Sequence, residues 1–181
     1  RSVRAAEARQ LLEIFPANTH NNSLIDDRFT LKANTPLLEL RGDRSGYTVR
    51  LNDEVVGIIL PATARDGYSG DIELIVGIAA DGTVAGTRVV SHKETPGLGD
   101  GIDTRKSPWM LSFNGRSLIS PSQPDWGVKK DGGAFDQFTG ATVTPRAVVA
   151  AVRRTLEYQA LHRAQLFELD VAENPAVEIG P

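Results

Sequence analysis

The chain has 181 residues, enough for one domain with a hydrophobic core. Apolar residues make up 40%, charged residues 24%, and 20 basic against 23 acidic groups leave a net charge of −3. This excludes the basic stripe of a nucleic-acid binder, no apolar run is long enough for a bilayer span, and the absence of cysteine excludes disulfides, thiolate-held iron–sulfur clusters and thioether haem.

His20, His92 and His162 lie too far apart in sequence to read as metal ligands. A redox role would therefore rest on an organic cofactor. A cysteine-free chain also suits an oxidising compartment. The sequence opens on Arg1 rather than methionine, which carries the expectation that an upstream segment has been removed.

Residues 3–15 have the spacing of an amphipathic helix, with Ala8, Leu11, Leu12 and Phe15 recurring among Arg4, Glu7, Arg9 and Glu13. Pro16 ends it. Packing on a core is the preferred reading, although a stalk below a membrane anchor has the same pattern. Residues 17–46 are rich in turn formers and read as loops with short extended pieces, with Leu37, Leu38 and Leu40 as a candidate short strand.

Two hairpins follow. Runs 47–51 and 55–60 flank Asn52-Asp53, and runs 72–79 and 83–90 flank Asp81-Gly82. Val, Ile and Thr dominate them, as a pleated surface favours, so an antiparallel sheet is expected. Between the hairpins, Gly67-Tyr68-Ser69-Gly70 reads as a turn with an aromatic over the sheet edge; the same tyrosine would serve beside a ligand ring. Residues 91–101, Ser-His-Lys-Glu-Thr-Pro-Gly-Leu-Gly-Asp-Gly, form a glycine-rich loop shaped for close approach, with Glu94 and Thr95 as its hydrogen-bonding groups.

A short helix is expected over 104–113, with Trp109, Met110 and Phe113 on its apolar side. Gly115, Pro121 and Pro124 break the chain after it. Lys129 and Lys130 precede the next motif and could meet a phosphate, or simply be solvated.

The stretch Asp136-Gln-Phe-Thr139-Gly140-Ala141-Thr142-Val-Thr144-Pro145 leads into a long helix predicted over 145–167. Thr144 reads as its N-cap and Pro145 as its first residue. Val148, Val152, Leu156 and Gln159 form its inner stripe, widened by Val149, Thr155 and Leu161, while Arg153, Arg154 and Glu157 face water. The hydroxyls of Thr139, Thr142 and Thr144 are expected to cluster at a helix N-terminus. There, unpaired N–H groups and about half a positive charge favour a phosphate. Ordinary capping explains the same residues equally well.

The string D-x-x-T-G-A-T from Asp136 to Thr142 resembles the flavinylation motif of the FMN-binding domain family, and H-x-E-T-P-G-L-G from His92 to Gly99 resembles a second signature of that family. Together they are similar to the G subunits of Rnf-type electron transport complexes, which are related to the C subunits of sodium-translocating NADH:quinone reductases. The resemblance implies an α+β domain with a twisted, mostly antiparallel sheet and packed helices, covering 17–170. Residues 1–16 would be a helix after a removed membrane anchor, and 171–181 a frayed tail.

The implied cofactor is FMN, joined through its phosphate to Thr142, with Thr144 the rival site. Thr139, Gly140, Ala141 and Thr144 would shape the phosphate site. Glu94, Thr95, Leu98, Gly99 and Tyr68 would bracket the flavin from the other side, and Asp136 would be read by a flavin transferase that makes the bond. The implied function is electron relay, together with the other membrane subunits of an Rnf complex that couples NADH–ferredoxin exchange to ion movement. The domain would lie on the periplasmic side of a bacterial inner membrane. A non-redox binding or sensory module is the alternative; a stand-alone flavin reductase is disfavoured by the absence of a G-x-G-x-x-G after a strand.

Overall fold

The computed structural model describes residues 2–168. The tail expected over 171–181 lies outside the described residues. Helix α1 (Ser2–Ile14) is followed by five strands, β1 (Arg28–Leu31), β2 (Arg44–Leu51), β3 (Glu54–Ala64), β4 (Ile72–Ala79) and β5 (Val84–Ser91). They form one antiparallel meander in sequence order. Helix α2 (Val143–Leu161) packs across it. The α+β expectation therefore holds.

The sheet is covered on both faces, which is why β3 and β4 read as nearly continuous apolar runs. Alternate residues go to opposite sides, because side-chain direction alternates along a strand. Ile58, Leu60, Leu74 and Val76 join Val148, Val152 and Leu156 of α2 in the larger core. Ile59 and Ile75, with Tyr47 and Val49, face Leu11, Ile14 and Phe15 at the end of α1. The first helix is thus packed on a core. Two glycines make room for it: a Cβ at Gly57 would lie 2.5 Å from the Phe15 ring, and one at Gly77 would lie 2.2 Å from Ile14 Cγ2.

Both hairpins form where expected. Asn52 and Asp53 each take positive φ (53° and 69°), the requirement of a type I′ turn. At the second, only Gly82 does (φ 89°), and the Asp81 carboxylate instead accepts from the Thr83 N–H and hydroxyl.

Several expectations need correction. The short strand lies at Arg28–Leu31, paired with β2; Leu37 and Glu39 have left-handed backbone (φ 77° and 60°) that no strand tolerates. Leu38 and Leu40 are nonetheless buried, and the Leu38 carbonyl accepts from Thr63 N–H on β3. Strand β3 runs past Pro61 to Ala64, because its pairing with β2 has already ended at Tyr47↔Ile59 while β4 stays in register. Residues 109–113 wind as a 3-10 turn.

The long helix begins at Val143 and ends at Leu161, not 145–167. Leu161, placed on the inner stripe by its spacing, is 75% exposed. His162 leaves helical geometry (φ −120°, ψ 27°), and a π turn over Ala164–Glu168 tucks Leu166 into the core instead. Among the described residues no helix is long and apolar enough to cross a membrane.

Candidate functional site

Three segments meet at one end of the sheet. Strand β3 ends at Ala64 beside the start of β4, and β5 ends at Ser91 opposite Glu73. The 67–70 turn and the 91–101 loop therefore leave the sheet side by side. The N-terminus of α2 arrives at the same place, its packing on β3 and β4 having fixed its direction.

The turn closes on itself: a Cβ at Gly67 would lie 2.3 Å from the Gly70 carbonyl. The loop is pinned by its own side chains. The Glu94 N–H donates to His92 Nδ1 (2.9 Å), and the Gly97 N–H to Asp100 Oδ1 (3.0 Å). Lys106 sits 3.2 Å from the same Asp100 carboxylate.

The approach to α2 is held by aromatics. The Trp109 indole N–H donates to the Asp136 carbonyl (2.8 Å), and Phe138 packs edge-on against Trp109. A Cβ at Gly101 would lie 2.9 Å from the Phe138 ring. The two sequence motifs thus touch through Gly101 and Phe138, a contact that sequence reasoning missed; the terminal glycine of the first string was its only trace. Gly140, at φ 78°, supplies the third position of a turn closed by Ala141 N–H on the Phe138 carbonyl (3.1 Å).

Between these segments lies a cavity of about 400 Å³, lined by Tyr68, Thr95, Leu98, Gly99, Gly140, Ala141, Thr142, Val143 and Thr144. Tyr68 is 73% exposed, and Leu98 and Val143 are also exposed, which gives the mouth an apolar rim. Thr139 is exposed and does not line the cavity. Asp136 is exposed as well and pairs with Lys129 at 2.9 Å, a surface contact of little energetic weight. Lys129 and Lys130 stay outside the cavity lining.

The three threonines do not cluster as expected. Thr142, not Thr144, is the N-cap, and its side chain makes no capping bond. Thr144 is the second residue of the helix, 1% exposed, and its hydroxyl donates to Glu94 Oε1 in a very short contact. The competition for the cap is decided by that buried carboxylate, which draws Thr144 inward. Glu94 itself is 4% exposed and stands behind the wall, not in the lining. Its carboxylate also accepts from Tyr68 N–H (3.1 Å) and Ser69 N–H (2.9 Å). In the first turn of α2, the N–H groups of Val143 and Thr144 have no partner within the helix.

A wider groove of about 800 Å³ runs between α1 and the sheet. It takes in Ser91 and His92 but none of the cavity residues above, and its polar walls are largely mutually paired, as in Asp103–Arg105 and Tyr47–Glu7. Arg105 holds the Asp103 carboxyl down at about 2. Size alone favours this groove; the apolar rim and unpaired donors favour the smaller cavity, and chemistry outweighs volume here. No group of three or more acidic, histidine or cysteine side chains among the described residues could hold a metal.

The model of the FMN-binding domain matches residues 67–157, a span that takes in the turn, the loop and the start of α2. The G subunit of the ion-translocating oxidoreductase complex of Pseudomonas aeruginosa is 50% identical over 163 residues, covering 90% of this chain and 76% of that protein. The protein of the same name from Vibrio cholerae is 46% identical over 168 residues (91% and 79%), and that of Erwinia tasmaniensis 49% over 155 (85% and 73%). Motif, cavity and likeness over most of the length agree: this chain belongs to the family of G subunits of ion-translocating oxidoreductase complexes, it contains an FMN-binding domain, and its cofactor is FMN.

Proposed function

We propose that this chain is an electron-relay subunit whose FMN is held by a phosphoester to Thr142 in the cavity at the end of the sheet. The observation that carries this reading is the hydroxyl of Thr142. Thr142 lines the cavity at a helix N-terminus, and its hydroxyl makes no capping bond. The donor set suits the nucleotide. The Thr142 hydroxyl and the first-turn N–H groups would meet the phosphate end, where the helix dipole favours an anion by about 0.3–1 kcal/mol. The rim of Tyr68, Leu98 and Val143 suits an apolar ring system. The volume lies within the range of about 300–1,000 Å³ usual for small-molecule sites.

When bound, FMN supplies one- and two-electron redox chemistry at its ring. The chain's own residues do the rest. Thr142 Oγ1 would carry the phosphate as an ester, a net gain of one FMN less one water for the chain. Leu98 and Val143 would offer apolar contact at the rim, and Tyr68, at the open mouth, would offer an aromatic face to the ring. Among the described residues no carboxylate or imidazole is bonded to the Thr142 hydroxyl, so a separate flavin transferase is the expected agent of attachment.

The relatives' names support a place among the other subunits of an ion-translocating oxidoreductase complex. In this reading the complex couples NADH–ferredoxin exchange to ion movement. The domain lies on the periplasmic side of the bacterial inner membrane, where the cysteine-free composition is at home. The test is intact mass after coexpression with a flavin transferase. The chain should gain one FMN less one water, and Thr142→Ala should gain nothing; a Thr142→Ala protein with the adduct sinks the assignment.

A further inference from the structure

A carboxylate buried away from the cavity lining has a cost unless donors surround it. Glu94 has three donors from two other segments: Tyr68 and Ser69 N–H from the 67–70 turn, and the Thr144 hydroxyl from α2. Glu94 belongs to the third segment, the 91–101 loop. The turn thus sends two groups and the helix one to the carboxylate that the loop carries.

The loop cannot easily follow if that carboxylate is lost. The Glu94 N–H is already held by His92, and the Gly97 N–H by Asp100. The packing behind is just as tight: a Cβ at Gly99 would lie 2.7 Å from Thr144 Oγ1 and 3.1 Å from Glu94 Cβ. The turn is the wall with fewest other ties; Gly70 has open space around it, and the Tyr68 side chain is mostly solvent-exposed.

We propose that Glu94 is the positioning residue of this cavity: its carboxylate gathers the turn, the loop and the first turn of α2 at one point and so sets the cavity before the cofactor arrives. The proposal rests on the reading of the cavity as the FMN site. The side chain acts through Tyr68, Ser69 and Thr144 and does not itself line the cavity.

Glu94→Gln keeps the shape but replaces one acceptor oxygen by a donor. Its single oxygen cannot serve the groups now divided between two, so at least one N–H of the turn faces another N–H. Amide hydrogen exchange in the flavin-free full chain reads this directly. In Glu94→Gln, exchange at Tyr68 and Ser69 should rise by about tenfold or more, while sheet amides such as Ile59 and Val76 keep their rates. Coexpressed with a flavin transferase, the variant should also load several-fold less flavin than the wild type.

Unchanged exchange at the turn, or acceleration shared with the sheet, overturns the clamp. Wild-type loading with a loosened turn overturns its part in positioning the site. If Glu94→Gln does not fold, Thr144→Val removes one donor from the same carboxylate; faster exchange at Arg146, the first bonded amide of α2, with reduced loading supports the proposal, and unchanged rates overturn it. A loaded Thr142→Ala protein would instead remove the assignment of the ester, and the exchange result would stand apart from it.

Discussion

Thr142 and Thr144 flank Val143 and both line the cavity, yet of the two hydroxyls that of Thr144 alone has a partner among the described residues, the buried Glu94 carboxylate; Thr142 makes no capping bond. Two hydroxyls of equal intrinsic chemistry are thereby made unequal by their surroundings. Thr144→Val keeps the shape and deletes the donor, leaving a buried acceptor one bond short at a cost of about 1–3 kcal/mol. Thr144→Ser should restore most of that in urea unfolding. In both variants, whatever flavin is attached should map to residue 142 by peptide mass. A flavinylated residue 144 in the serine variant, with 142 bare, would reverse the assignment.

Gly99 has no room for a side chain, because Thr144 Oγ1 and Glu94 Cβ already occupy the space. Gly99→Ala must push the loop from the helix start. We expect a loss of about 1–3 kcal/mol, the usual penalty of overpacking, together with a fall in flavin content. Gly42→Ala is the control, since nothing lies within 4 Å of its Cβ position. Equal melting curves and flavin contents for the two variants would show that the loop yields freely.

The hairpins and the helix were legible because their signals are local. Asn52-Asp53 takes the positive φ that its turn type demands, and the Val-Ile-Thr runs lie on the pleat in the expected places. The cavity residues were legible as two strings, but their division of labour was not. Which threonine caps α2 depends on Glu94, 50 residues from Thr144, and no periodicity carries that distance. The run read as ending at 60 continues through Pro61 for a related reason: a proline stops a strand only if its nitrogen faces a partner, and here the pairing with β2 has already ended. Leu38 and Leu40 are core residues as their type suggests, but left-handed turns at Leu37 and Glu39, not a strand, bring them inward.

The first helix should be structural, and separable from the cofactor site. Phe15 is buried against Gly57 on the sheet face opposite α2. Phe15→Ala should cost about 3–5 kcal/mol, as for other buried aromatics. Flavin content per folded molecule should be unchanged well below the melting temperature, because the cavity lies at the sheet end and shares no residue with this core. A stability loss below about 1 kcal/mol, outside that range, would mean that α1 rests on the sheet without contributing to its core.

His162 gives the fold a pH dependence of predictable sign. Its ring stacks on Tyr158 with centroids 4.2 Å apart, and both ring nitrogens are buried without a hydrogen-bond partner. Burial pushes its pKa below the ordinary 6.5, because the charged imidazolium loses more hydration than the neutral ring. In the unfolded chain the ring takes up its proton near 6.5, whereas the folded chain resists it to lower pH. The unfolded state then binds more protons, so this part of the stability is full above 6.5 and declines as pH falls toward the depressed folded value. Burial depresses His20 in the same direction, so total stability alone cannot isolate the effect. The comparison is His162→Phe against wild type by urea unfolding at several pH values between about 8 and 5. The wild type should lose stability faster than the variant on the acidic side of 6.5, since the remaining titrating groups are common to both; parallel curves would show that the ring takes up its proton as readily folded as unfolded.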